Sequence, residues 1–144
     1  MISQKKESLS AIAESPPPSG EVATSLSVLL AEDDPALQRY LQIVLERAGY
    51  RVIAANDGLE AMKAAFASSI DIVITDAVMP NLDGNELCRF FRSTPQFSHI
   101  PVVLLSALEK KDTQPGFEPH AFLGKPISPE QLLECVDEIL VAHR

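Results

Sequence analysis

Asp33, Asp34, Asp76, Ser106 and Lys125 are the residues of this 144-residue chain best suited to shared chemistry. Each ends or closely follows a short apolar run. Ser27–Ala31 leads into Glu32-Asp33-Asp34, Ile70–Thr75 into Asp76, Val102–Leu105 into Ser106, and Ala121–Gly124 into Lys125-Pro126. Three acids, one hydroxyl and one ammonium in a small space make a place for a divalent cation and a phosphoryl group. Mg²⁺ takes hard oxygen ligands, keeps several waters, and is commonly held by one or two carboxylates together with a phosphate. A carboxylate can also attack phosphorus and become an acyl phosphate. Asp76, central among the runs, is the natural nucleophile. Lys125 supplies a point charge for a phosphoryl oxygen, and Ser106 a hydroxyl donor.

Only a parallel sheet would gather these residues, because such sheets place ligands outside the carboxyl ends of their strands. The rest of the pattern agrees. Strands are expected at Ser27–Ala31, Arg51–Ala55, Ile70–Thr75, Ile100 to Leu105 and Ala121–Gly124. Between them lie helical patterns. Asp34-Pro35 opens one carrying Leu37, Leu41, Val44, Leu45 and Ala48, which Gly49 stops. Asn56-Asp57-Gly58 leads into another carrying Leu59, Met62, Ala65 and Phe66. Asp83 and Glu86 are spaced as a capping box ahead of Leu87 and Phe90, and Ser128-Pro129 starts a last helix with Leu132, Val136, Ile139 and Leu140 inward. Five strands alternating with about five helices predict an α/β protein, a three-layer αβα sandwich around an open parallel sheet. Each site residue also has a plainer use. Asp34 ahead of Pro35 is a good helix cap, Asp76 a strand-end turn residue, and Lys125 a surface lysine. Glu32 is expected to face solvent or add little to an acidic rim, and His99, His120 and His143 to sit on the surface.

Composition narrows the function. A net charge of −8 argues against direct nucleic-acid binding. No apolar stretch approaches the roughly 20 residues that span a bilayer, and Lys5 and Lys6 are not followed by the apolar core of a signal peptide. Cys88 and Cys135 are isolated, and both are expected to be reduced thiols in a cytoplasmic protein. Residues 1–25, rich in Ser, Glu, Ala and Pro, are expected to be a flexible tail or linker ahead of a domain over 26–144. No Gly-rich nucleotide loop occurs.

Four segments carry a family resemblance: Leu-Leu-Ala-Glu-Asp33-Asp34-Pro, Asp-Ile-Val-Ile-Thr-Asp76-Ala-Val-Met-Pro-Asn-Leu-Asp-Gly84, Val-Val-Leu-Leu-Ser106-Ala and Ala-Phe122-Leu-Gly-Lys125-Pro126. In order, they closely resemble the receiver domains of two-component response regulators, from about Ser27 to Ala142. The resemblance implies a CheY-like (flavodoxin-like) fold with strand order 2-1-3-4-5. It makes Asp76 the acceptor of phosphate from a phosphohistidine of a sensor kinase or phosphotransfer protein. Asp33 and Asp34 then match the acidic pair that positions Mg²⁺, with Asp34 the more direct ligand, and Val78 gives a backbone carbonyl. Ser106 matches the switch hydroxyl, Lys125 the family's lysine, and Phe122 the aromatic that rotates inward on activation. The Lys125–Pro126 bond is expected to be cis. Such a protein is a switch rather than an enzyme, and its downstream protein target is unknown.

The chain departs from the family pattern in two places. Between Ser106 and the fifth strand, Pro115, Gly116 and Pro119 predict a fourth helix that is shortened or irregular. Val78 and Leu108 flank the expected phosphoryl group with apolar side chains, which predicts slow autodephosphorylation. Other readings compete. A phosphatase on this fold would carry a second Asp two residues beyond the first, and Asp76-Ala-Val lacks it. A receiver used only for protein contact would not need the full acid–hydroxyl–lysine set. The chain is expected to be a stand-alone regulator, which Met1 favours, or a receiver cut from a hybrid kinase or longer regulator.

Overall fold

The computed structural model describes residues 25–107 and 118–142. The expectations placed on 1–24, on Leu108, on most of the 107–120 segment and on His143 lie outside these residues. Five strands occur: β1 (Ser27–Ala31), β2 (Arg51–Ala55), β3 (Ile72–Asp76), β4 (Val102–Ser106) and β5 (Ala121–Gly124). All pair in parallel, in the order β2-β1-β3-β4-β5. Four helices are described: α1 (Pro35–Arg47), α2 (Gly58–Ala67), α3 (Gly84–Ser93) and α4 (Pro129–Ala142). The expected CheY-like order is therefore found.

The sheet separates two cores. Leu29, Ala31, Val73 and Val102 face α2 and α3, while Val28, Leu30, Ile72, Ile74, Val103 and Leu105 face α1 and α4. This explains why β1 and β3 read as unbroken buried runs, since both faces of a central parallel strand are covered. β3 begins two residues later than the apolar run suggests. Ile70 is buried in the α2/α3 core, but Asp71 is taken by β1: its carboxylate accepts from the Ser27 amide at 2.7 Å, and its own amide donates to the Ser27 carbonyl at 2.9 Å.

Each helix starts where a side chain can satisfy its first amides. Asp34 caps α1, accepting from the Ala36 amide at 3.1 Å, with Pro35 next. Asp83 and Glu86 form the predicted reciprocal box on α3, at 2.8 and 2.9 Å. Ser128 Oγ accepts from the Gln131 amide at 3.1 Å. The four apolar residues expected on α2 divide. Ala65 is buried with Gly58 and Ala61, Met62 packs partly buried against the core, and Leu59 is 43% and Phe66 61% exposed. Small side chains let the helix lie close to the sheet, and the larger ones turn out. Phe66 rests edge-on against Phe90 and Phe97, its centroid 5.1 Å from that of Phe97. His99 and His120 are exposed, as expected, and His120 Nδ1 also accepts from the Val102 amide at 3.1 Å. Both cysteines are free, and burial pushes the Cys88 thiol up to about 11.

The two aromatics at this end of the fold should behave differently. Phe91 is fully buried, so Phe91→Ala is expected to cost about 3–5 kcal/mol. Phe66→Ala is expected to cost about 1 kcal/mol or less. Urea melts of both variants check this, and equal losses would put α2 in the wrong rotation.

Candidate functional site

The carboxyl ends of β1, β3, β4 and β5 converge, and the site forms there. Register fixes the depths. Asp76 ends β3 opposite Leu105 of β4, and Ser106 ends β4 opposite Gly124 of β5. Lys125 follows at once, its amide donating to the Ser106 carbonyl at 2.9 Å. The Lys125–Pro126 bond is cis, as the resemblance implied. The Lys125 ammonium reaches back across the strand ends to Asp76 Oδ1 at 3.0 Å and to Glu32 Oε1 at 3.7 Å. Asp76 is itself buried, only 6% exposed. Its loop is tied down by two backbone bonds: the Ala77 amide donates to the Leu105 carbonyl, and the Gly84 amide to the Ala77 carbonyl. Gly84 is required by proximity, because a Cβ there would overlap the Asp76 carbonyl oxygen.

The acid cluster differs from the expected one. Glu32, Asp33 and Asp76 each bring a carboxylate oxygen within 4.8 Å of the others. Asp34 is not among them. Its carboxylate is spent on the first turn of α1, and its side chain is exposed. Glu32, expected at a solvent-facing rim, is 1% exposed. Its Oε2 accepts from the Asp34 amide at 3.1 Å, while its Oε1 is buried without a hydrogen bond. The cause is the cap. Pro35 at the first helical position commits Asp34 to the helix, so the two residues before it enter the site. The Asp-Pro signal, read strictly, would have pointed to Glu32-Asp33.

Glu32 is held in place from behind. The Gln38 side-chain amide on α1 donates to the Glu32 carbonyl at 3.0 Å and to the Ala55 carbonyl and Asn56 Oδ1, each at 3.1 Å. Nothing in the sequence pattern singled out Gln38; helical spacing from the Asp34 cap is the only signal that points to it. Val78 lies in the loop after Asp76 with its side chain 70% exposed. Ser106 is partly buried at the site's edge, and Phe122 is partly buried on β5, which borders a groove beside α4.

The electrostatics follow from crowding. Burial is the largest effect on Glu32 and raises its pKa to about 7. The Asp34 amide and Lys125 oppose the rise, while Asp76 and Asp33 add to it. For Lys125, burial is the largest single effect and acts to lower its pKa, but Asp76 and Glu32 together outweigh it and leave the ammonium above its ordinary value. An all-oxygen donor set suits a hard cation such as Mg²⁺ or Ca²⁺. Glu32 Oε1 beside two further carboxylates fits one, since it is buried without a hydrogen bond and its one ion-pair contact, to Lys125, is long at 3.7 Å.

Without a cation, the charged Glu32 should therefore destabilise the fold. Its folded pKa lies above its ordinary value of 4.5, so the folded state binds the proton more tightly. Stability falls as pH rises from about 4.5 through 7. In chelator at pH 8, Glu32→Gln is expected to be more stable than wild type by on the order of 2 kcal/mol, and the difference should close by pH 4.5. Thermal melts at the two pH values check this; a less stable variant at pH 8 contradicts it.

Comparison with known proteins gives the same picture. The family described as "Response regulator receiver domain" matches residues 28–137. The chain is 36% identical over 116 residues to the alkaline phosphatase synthesis transcriptional regulatory protein PhoP of Bacillus subtilis, covering 78% of this chain and 48% of that protein. It is 33% identical over 121 residues to the transcriptional regulatory protein GltR of Pseudomonas aeruginosa, covering 82% of this chain and 50% of that one. It thus spans about half the length of these curated relatives. Among solved structures, it resembles the receiver domain of the sensor histidine kinase PA1611 from Pseudomonas aeruginosa, described with a magnesium ion coordinated in its active-site cleft. That match has a TM-score of 0.75 and 26% identity, over 82% of this chain and 99% of the other. No helix among the described residues is long and apolar enough to cross a membrane. The strand order, the buried acid cluster with its lysine and the family match lead to one conclusion: the chain belongs to the response regulator receiver domain family.

Proposed function

We propose that this protein is a phosphorylation switch, with Asp76 as phosphoacceptor and a phosphohistidine of a sensor kinase or phosphotransfer protein as donor. The observation that carries the reading is the buried Asp76 carboxylate held by Lys125 at 3.0 Å beside two further acids. A buried acid paired only for stability would not need two more carboxylates around it. An Asp76 oxygen attacks the donor's phosphorus, an O–P bond forms, the N–P bond breaks, and the electron pair stays with the imidazole, which takes a proton. The product is an acyl phosphate on Asp76.

Glu32, Asp33 and Asp76, with the Val78 backbone carbonyl, are the residues that would hold Mg²⁺. The bound ion supplies neutralisation of the charge that builds on the phosphoryl oxygens. Lys125 holds Asp76 in place before transfer and is already at the site to meet the new negative charge. Phosphorylation adds about −1.5 to −2 charge with strong acceptor oxygens. Ser106 is at the right strand end to donate to one of them. Its movement would open space for Phe122, which sits on the neighbouring strand. Val78 offers no polar group to orient an attacking water, which supports slow loss of the phosphoryl group. The module acts as a switch on a protein partner, and its charge of −8 supports a reading without direct nucleic-acid binding.

The Mg²⁺ dependence of phosphoryl gain from a small phosphodonor tests the assignment. Wild type is expected to gain phosphate at a rate that saturates with Mg²⁺ and vanishes in chelator. Asp33→Asn should shift the half-saturating Mg²⁺ at least about 10-fold. Asp34→Asn should leave it unchanged, because Asn caps helices as well as Asp does. Val78→Asn should shorten the phosphoryl lifetime in the same assay. A shift with Asp34→Asn and none with Asp33→Asn would overturn the cluster assignment.

A further inference from the structure

Asp57 and Asn81 belong to different loops and lie outside the acid cluster, yet they are joined. The Asn81 side-chain amide donates to Asp57 Oδ2 at 2.6 Å. Asp57 Oδ1 is engaged separately, accepting from the Glu60 amide at 2.8 Å as the cap of α2. One carboxylate thus serves two elements, one oxygen for each. Asn81 has φ +70°, a conformation that non-glycine side chains adopt reluctantly and that Asn tolerates best among common residues. The two loops are also in direct backbone contact. A Cβ at Gly58, the residue after Asp57, would overlap the carbonyl oxygen of Leu82, the residue after Asn81. The bond and the contact together pin the tip of the β3–α3 loop onto the start of α2.

That loop begins at Asp76 and contains Val78. Its base is fixed by backbone bonds at Ala77 and Gly84, Met79 and Leu82 pack into the core, and the Asp57–Asn81 bond joins the exposed tip between them to α2. We propose that Asp57 and Asn81 are positioning residues for the acceptor loop, holding residues 77–82 so that the Val78 carbonyl faces the acid cluster. The inference rests on the reading of that cluster as a Mg²⁺ site. It adds that metal affinity depends on a bond that touches neither the metal ligands nor Asp76. The burden falls on Asp57 because a hydrogen bond to a charged acceptor is about twice as strong as one between neutral groups. Both of its bonds also favour the ionised form and lower its pKa, the Glu60 amide first and the Asn81 amide second.

The test uses the full chain and two variants. Asn81→Gly keeps the positive φ without strain and removes the amide. Asp57→Asn combined with Asn81→Asp exchanges donor and acceptor, keeps net charge, and retains side chains able to cap α2 and to adopt the loop backbone. Mg²⁺ affinity is measured by calorimetry, and amide exchange of residues 77–82 is measured in chelator. Asn81→Gly is expected to weaken Mg²⁺ binding roughly 10-fold and to speed exchange across 77–82 with no metal present. The double variant is expected to restore both. A loss that reflected only a weakened fold would not return with the exchanged pair. Unchanged affinity and exchange in Asn81→Gly, or failure of the exchanged pair to restore them, overturns the clamp alone. Absence of Mg²⁺ binding by wild type overturns the metal-site reading and, with it, the clamp's role in affinity.

Discussion

Everything at the carboxyl end of the sheet depends on one imbalance: two buried carboxylates, Glu32 and Asp76, and the exposed Asp33 beside them face one ammonium. Lys125 bridges Asp76 and Glu32 and cannot satisfy both fully. Glu32 retains an oxygen with no hydrogen bond, and burial first, with Asp76 and Asp33 adding to it, raises its pKa to about 7. A fold selected for stability alone would remove that acid. Its retention makes sense if positive charge arrives from outside. The same imbalance keeps Lys125 charged despite burial. The surplus of carboxylate oxygens suits a hard cation.

The sheet supplies the geometry for this arrangement. Parallel pairing brings all the carboxyl ends to one edge, and register sets Asp76, Ser106 and Lys125 at neighbouring depths. Two packed cores hold the strands from both faces, so the acids project from a rigid frame. The loops are bound to one another as well. Gln38 links Glu32 to the end of β2, and Asn81 links the acceptor loop to the start of α2. A shift in one loop must therefore be felt in the next, which is the property that a switch requires.

Much of this was legible in the sequence because it rests on local rules. Apolar runs located β1, β2 and β5 to the residue, and capping signals located the starts of α1, α3 and α4. Errors arose where tertiary packing overrode pattern. Leu59 and Phe66 of α2 are exposed because the small residues Gly58, Ala61 and Ala65 face the sheet. Ile70 fitted a strand by type but stops short of the ladder, since Asp71 bonds the start of β1. Glu32 and Asp34 exchanged roles because two adjacent acids look alike in sequence, and only the helix start decides which one turns into the site. The Gln38 bonds to Ala55 and Asn56 and the Asp57–Asn81 bond were out of reach, being contacts between residues 17 to 24 positions apart with no shared motif.

The switch stands on Asp76 taking the phosphoryl group. Wild type and Asp76→Asn, each incubated with Mg²⁺ and a small phosphodonor, can be compared by intact mass. A gain of one phosphoryl group is expected in wild type and none in the variant. An equal gain in Asp76→Asn, or no gain in wild type, would contradict it.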